Sequence, residues 1–328
     1  MSRASGIGSW PGTDIRATLR VVRDLLADDG LPYLPELPGR GPGADMVGRA
    51  AGLLADLHVD LQPAGWRLVD RPGRDAKRTG ALLREDLDEL AEAFDGYEGD
   101  LKLQVAGPWT LASSLWLTRG ERAVVDEGAC RDLVASLAEG LSVHLRDVAR
   151  LVPAARLVVQ VDEPGLPGVL QGSLPTASGF GRIRAVDPHV VADGLRAVLA
   201  VAGEGPTVVH CCAPSVPLPL LRSTGVGAVS LDTGLLGPAG WESVAATVES
   251  GVALWAGIVP TEGETPGAGE LTNALVGGWR GVGLPVADLA DVTVTPTCGL
   301  AGLTPKVARN VQRVAVHAAR ALTETAGS

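Results

Sequence analysis

The sequence predicts an α/β chain, and within that class a (β/α)8 TIM barrel, from three observations. Short apolar, β-rich runs alternate with longer segments patterned at helical spacing, the signature of βα units and a parallel sheet. Eight such runs can be picked out, whereas an open doubly wound sheet more typically has about five to seven, with a glycine-rich phosphate turn after the first. No composition break marks a second domain in 328 residues, a length that α/β barrels reach as single units. The expectation is one domain over residues 1–328, with an excursion at about 58–100 inserted between strands two and three.

Strand one is expected at 5–9, followed by a helix at 14–28, and strand two at 31–36, followed by a helix at 45–57. Inside the excursion, 65–70 reads as an extra ribbon. Strand three, 101–106, leads into helices at 110–117 and 121–151, and strand four, 156–162, into one at 188–202. Strands five to eight, at 207–212, 227–232, 252–257 and 291–296, precede helices at 214–222, 239–249, 271–280 and 305–324. Asp187-Pro188 and Thr304-Pro305 supply a cap with a first-turn proline. Gly- and Pro-rich stretches at 38–43, 165–181 and 261–269 read as long βα loops on one rim, and such loops are uncommon unless functional.

Composition narrows the function classes. At 46% hydrophobic and 20% charged the chain can bury a sizeable core, which excludes a disordered or fibrous protein, and with 3% aromatics that core is aliphatic. Four cysteines give no disulfide framework and suit a reducing compartment where a thiol can have a chemical job. A formal charge of −10 argues against polyanionic partners, nucleic acid included. The N-terminal segment lacks the pattern of a signal peptide and no run of eighteen apolar residues occurs, so a soluble cytoplasmic protein with no membrane partner is expected.

In a barrel the active site lies at the C-terminal ends of the strands. The residues there are Ser9, Glu36, Gly107-Pro108, Asp162-Glu163-Pro164, His210-Cys211-Cys212, Asp232 and Cys298. Side chains alternate along a strand, so His210 and Cys212 point to one side and Cys211 to the other. Strand eight closes next to strand one, and Cys298 just past its end can reach across the mouth. Zinc favours nitrogen and sulfur ligands in a tetrahedron; His210, Cys212 and Cys298 supply three and Asp232 a fourth. The competing reading is that free cysteines are small buried hydrophobes and histidines satisfied core residues. That reading is expected for Cys130 and Cys211, while His58, His144 and His317 sit in helical patterns with no catalytic role. Asp162 and Glu163 diverge from a strand end, so one of them enters the mouth; an acid there can hold an ammonium, cap the next helix or pair with an arginine.

These residues resemble the catalytic C-terminal barrel of the cobalamin-independent methionine synthase family, within the wider uroporphyrinogen decarboxylase/methionine synthase-like superfamily. The resemblance is carried by Ile7-Gly8-Ser9-Trp10-Pro11, by Pro35-Glu36 with Arg40 and Asp45-Met46-Val47, by Gly65-Trp66 and by Gly107-Pro108-Trp109-Thr110. Gln160-Val161-Asp162-Glu163-Pro164, His210-Cys211-Cys212, Asp232-Thr233 and Cys298-Gly299-Leu300 complete the collinear set, which covers nearly the whole chain. It implies zinc bound through His210, Cys212 and Cys298 with an acidic ligand at Asp232. It also implies a homocysteine pocket in which Ser9 and neighbouring backbone, Gly8 included, hold the carboxylate while Glu36 and Asp162 hold the ammonium. The metal would deprotonate the homocysteine thiol, which attacks a methyl carbon to give methionine.

The sequence departs from that family at four places. Asp232 is one methylene shorter than the family's glutamate, and the family's additional N-terminal barrel is absent from these residues. Residues 257–262 lack the histidine that the family uses as proton donor, so no catalytic acid is identified. The family's folate-contacting tryptophan is replaced at its offset by Ser114, with Trp116 two residues on as the residue assigned to the methyl-donor site. A methyl on a folate nitrogen leaves poorly unless that nitrogen is protonated, whereas a methyl-corrinoid needs no such acid. The expected function is therefore a zinc-dependent methyltransferase to homocysteine, with a methyl-corrinoid protein or methyltetrahydrofolate as donor. The alternatives are a methylcorrinoid methyltransferase for another thiol, a non-catalytic zinc- or thiol-binding relative, and a uroporphyrinogen decarboxylase-like enzyme. Residues 107–111 resemble that last family, which would need carboxylate-binding arginines such as Arg40, Arg71 and Arg74.

Overall fold

In chain order the strands are β1 (Arg3–Ser5), β2 (Gly30–Leu31), β3 (His58–Gln62), β4 (Gly65–Val69), β5 (Gly99–Ala106), β6 (Ala155–Asp162), β7 (Thr207–Cys211), β8 (Ala228–Asp232), β9 (Ala253–Val259) and β10 (Thr293–Pro296). They come from a computed structural model that describes residues 1–328. Eight of them form one parallel sheet in the order β2-β1-β10-β9-β8-β7-β6-β5. The two ends of that order meet: Leu34 N donates to Lys102 O at 3.1 Å and Lys102 N to Pro32 O at 2.9 Å, a parallel bridge between the segments after β2 and within β5. The sheet thus curls into a nearly closed barrel, as the alternation of short apolar runs and helical segments predicts.

The helices are α1 (Ile15–Leu26), α2 (Met46–Ala51), α3 (Arg74–Ala93), α4 (Pro108–Ser114), α5 (Glu127–Leu151), α6 (Leu166–Gln171), α7 (Pro188–Leu199), α8 (Leu218–Arg222), α9 (Pro238–Glu249), α10 (Ala268–Gly281) and α11 (Pro305–Ala326). Their starts follow from capping chemistry. Asp14, Asp126, Asp187 and Thr304 each accept a hydrogen bond from a first-turn amide, and the last two precede a proline whose missing N–H costs nothing there. No helix is long and apolar enough to cross a membrane.

Two apolar layers support the barrel. The larger is an aliphatic core of 71 buried residues, most of it packed between sheet and helices. The smaller is Leu31, Val158, Val208, Ala228 and Trp255, one inward residue from each of five strands, which plugs the barrel floor. Because inward residues recur every second position, the residues two further along these strands form the next layer. That layer is polar: Gln160, His210 and Ser230 stand above Val158, Val208 and Ala228, and Asp162, Cys212 and Asp232 stand above them.

The structure differs from the sequence expectation at several elements: strand two, expected at 31–36, is a strand only over Gly30–Leu31, and His58, expected in a helical pattern, begins β3. Only Arg3–Ser5 of strand one joins the ladder: beyond it the Ile7 carbonyl is taken by the side chains of Lys102 and Gln160, and the backbone pairs again only at the isolated Ser9–Glu36 bridge. The helix expected at 45–57 stops at Ala51, after which Ala55 N bonds Ser136 O at 3.2 Å. The excursion holds the expected ribbon, the antiparallel hairpin β3–β4, and also α3, which its pattern concealed. The buried seam of α3 runs Thr79, Leu83, Asp86, Leu90, with a fully buried aspartate where an apolar residue would signal a helix. Asp86 is paired there with Arg40 at 2.5 Å and with Arg49, so the buried charge is compensated.

Candidate active site

One side of the barrel mouth is a buried network of acids, amides and a lysine. Lys102 and Gln104 lie two apart on β5 and so share its inner face. Lys102 Nζ donates to Ile7 O at 2.6 Å and to Gln160 Oε1 at 2.8 Å, with Gln104 Oε1 at 3.5 Å and the Tyr33 ring centroid at 5.0 Å. Gln160 Nε2 donates to Ile7 O at 2.8 Å and to Asp162 Oδ1 at 2.7 Å. Gln104 Nε2 donates to Leu34 O at 2.7 Å and to Glu36 Oε1 at 3.4 Å. Burial pushes both acids above the usual carboxylate range; Glu36 is drawn back by Arg49, Gln104 and Lys102, while Asp162 is pushed further by Glu36 and drawn back by Lys102. Burial lowers Lys102 to about 7 against the pull of Asp162 and Glu36. Burial thus disfavours charge on both acids while they share one lysine, and an incoming ammonium would stabilise the second carboxylate in its ionised form.

The turn carrying Gly8 and Ser9 adjoins these acids. Glu36 N donates to Gly8 O at 3.1 Å and Trp10 N to Glu36 O at 2.8 Å, so the turn and Glu36 are locked in parallel. Leu300 N donates to Ser9 O at 3.0 Å, and a Cβ on Gly299 would lie 2.1 Å from Ser9 Oγ, so any side chain after Cys298 would displace the Ser9 hydroxyl. Ser9, Glu36 and the Cys298-Gly299-Leu300 turn therefore occupy one neighbourhood.

The other side carries the thiols. Cys212 and Cys298 bring their sulfurs to 3.5 Å, and both line a cavity of about 660 Å³. Its wall also includes Asp232, Glu262, Trp241 and Leu275, and among its lining residues are no histidine, lysine or arginine. The Cys212 contact lowers Cys298 to about 6 while Cys212 itself is pushed up, so the pair yields its first proton from Cys298. Asp232 is raised by burial and accepts from Gly234 N at 2.8 Å. His210 lies 3.0 Å through Nδ1 from Ser230 Oγ, and its Nε2 is buried with no partner. Burial first, then the charge of Lys102, depresses His210 to about 3, so the imidazole is neutral.

These donors suit zinc in kind. A tetrahedral ion with Zn–S bonds of about 2.3 Å sets two sulfurs roughly 3.8 Å apart, close to the spacing of Cys212 and Cys298. A neutral imidazole with one nitrogen engaged and the other orphaned in the interior has the electronic form of a metal ligand. No group of three or more His, Cys, Asp or Glu side chains is drawn close enough to hold a metal, so the two thiols are gathered and His210 and Asp232 are not gathered with them.

Other expected residues have different surroundings. Glu163 turns away from the mouth and accepts from Trp109 N at 3.0 Å, Thr110 N at 2.7 Å and Thr110 Oγ1 at 2.7 Å, capping α4; burial raises it to about 7. Trp116 donates through Nε1 to Ala64 O at 2.8 Å and is flanked by the guanidinium groups of Arg67 and Arg122, outside the cavity wall. Arg40 is committed to Asp86, while Arg71 and Arg74 are exposed on the excursion, so the three arginines do not converge on the mouth. Cys130 and Cys211 are buried. Sequence reasoning missed Lys102, Gln104 and Glu262 and quoted Gln160 without a role. The signal for the first two was polar residues at alternate positions of an otherwise apolar strand.

The chain was compared with known proteins. Among solved structures, a B12-independent methionine synthase from Shewanella sp. W3-18-1 in complex with selenomethionine aligns with a TM-score of 0.50 at 15% identity, over 73% of this chain and 66% of that one. A methylaspartate ammonia lyase from Clostridium tetanomorphum gives 0.49 at 10% identity, over 100% of this chain and 60% of that one. This chain thus spans less than two thirds of either protein's length, and the likeness to the synthase, at 15% identity, concerns the fold alone. No curated protein sequence matches it. The model of the family described as cobalamin-independent synthase, catalytic domain, matches residues 2–321, and the chain belongs to that family.

Proposed function

We propose that this enzyme transfers a methyl group to the thiol of homocysteine, giving methionine, with zinc held by Cys212, Cys298 and His210 and with Asp232 as the acidic ligand. The observation that carries the reading is the meeting, at one barrel mouth, of a paired-thiol cavity with a buried network of two acids that share one lysine. Glu36 and Asp162 receive the ammonium of the amino acid, and the Gly8–Ser9 turn receives its carboxylate. The side chain of that amino acid then extends toward Cys212 and Cys298. Zinc supplies the acidity that removes the thiol proton at neutral pH. The residues around it hold the acceptor sulfur in line with the methyl carbon and restrict the approach of water.

The cavity beside the thiols is the methyl donor's place in this reading. Its wall bears two carboxylates, Asp232 and Glu262, and no imidazole. A methyl-corrinoid gives up its methyl without a proton; methyltetrahydrofolate does so only if an acid supplies one, and with Asp232 on the metal the carboxyl left in the wall is Glu262. The test is to incubate zinc-loaded protein with homocysteine and each methyl-labelled donor in turn. Labelled methionine from either donor supports the reading and names the donor. No methionine from both, with zinc bound, sinks it.

A further inference from the structure

An ammonium has three donors and no acceptor. The three polar atoms around Lys102 Nζ are all oxygens: Ile7 O at 2.6 Å, Gln160 Oε1 at 2.8 Å and Gln104 Oε1 at 3.5 Å. A glutamine amide is an acceptor at one end and a donor at the other, so a cation that claims its oxygen turns the NH2 away from itself. For Gln160 the NH2 then meets Ile7 O and Asp162; for Gln104 it meets Leu34 O and Glu36. Flipping either amide would set donor against cation and carbonyl against carboxylate among buried groups. The Ile7 carbonyl is held twice, by Lys102 and by Gln160, and it begins the turn that carries Gly8 and Ser9. Three separate recognition parts, on β6, after β2 and after β1, thus depend on one group on β5.

We propose that Lys102 is the positioning residue for amino-acid recognition, fixing both glutamine amides and the Ile7 carbonyl so that Asp162, Glu36 and the Gly8–Ser9 turn converge on the ammonium and carboxylate of one L-α-amino acid. This rests on the homocysteine reading above and adds to it the origin of headgroup and stereochemical selectivity. Lys102 touches neither the reacting sulfur nor the thiol pair; it acts through Gln104 and Gln160.

The experiment is calorimetric titration of zinc-loaded wild type, Lys102→Met and Gln160→Glu with L- and D-homocysteine, alongside zinc content and melting temperature. Gln160→Glu keeps size and a partner for Lys102 but gives Asp162 and Ile7 O no donor, so it carries the test if Lys102→Met does not fold. Each variant is expected to bind L-homocysteine roughly ten- to hundredfold more weakly, to lose most of its preference for L over D, and to retain zinc. Variants that bind L-homocysteine as tightly as wild type, or that weaken both enantiomers equally, overturn the proposal. Wild type that holds zinc but binds neither enantiomer overturns the homocysteine reading itself, and this inference with it.

Discussion

On the β1, β2, β5 and β6 side of the mouth, Lys102, Gln104, Gln160, Glu36 and Asp162 form one connected set, beside which the Tyr33 hydroxyl and Gln312 Oε1 are buried without partners. On the β7 to β10 side the sulfurs of Cys212 and Cys298 touch each other, His210 Nε2 and Thr295 Oγ1 are buried without partners, and Asp232 bonds the nearby Gly234. A connected network has little left to rearrange when a ligand arrives, so it suits recognition of a fixed headgroup. Unpaired donors in the interior cost stability until something binds them, so they suit a metal and a transient reactant. Under the proposed function, the two halves of one rim would divide selection from chemistry.

The largest effects should come from the open half. Cys212→Ser and Cys298→Ser should each abolish stoichiometric zinc in metal analysis, whereas Cys211→Ser, on the outer face of β7, should keep it; zinc retained by Cys298→Ser would overturn the ligand set. Next is the closed half: Asp162→Asn should weaken homocysteine roughly ten- to hundredfold with zinc unchanged. Unaltered affinity would mean that the acid serves the fold alone. A third test reads the sulfur pair without metal. Since Cys298 is lowered to about 6 and Cys212 is raised, alkylation of Cys298 in chelated protein should reach half its limiting rate near pH 6 and stay high above it. An ordinary thiol would do so near about 8.5, and peptide mapping with Cys212 modified first would contradict the coupling. The smallest effect belongs to the residue outside both halves: Glu163→Gln should cost about 1–3 kcal/mol in urea unfolding, with zinc and homocysteine binding intact.

Much of the fold was legible because its period was clean. The runs predicted at 101–106, 156–162 and 207–212 overlie β5, β6 and β7 almost residue for residue, each apolar on an outward face that packs against helices. Strand one is shorter than expected because side chains from across the barrel claim the Ile7 carbonyl, which no local pattern reports, and its backbone pairs again only at the isolated Ser9–Glu36 bridge. Helix α3 was hidden because Asp86 occupies its seam, and an ion pair with two arginines distant in sequence looks like surface charge. At the site, strand alternation predicted a shared face for His210 and Cys212, and the adjacency of Asp162 and Glu163 predicted that they diverge. It could not assign the roles, since the first joins an amide network and the second caps α4 only once β5 and α4 are in place. Lys102 was overlooked for a related reason: a lysine on a strand is ordinary on an outer face, and a one-dimensional pattern does not say which face is inner.

The most direct test of the account is metal analysis of the purified protein followed by homocysteine titration with and without the metal. The account predicts one zinc per chain and homocysteine bound at least about tenfold more tightly with zinc present. Protein that takes up no stoichiometric zinc, or whose homocysteine affinity is indifferent to it, would contradict the account.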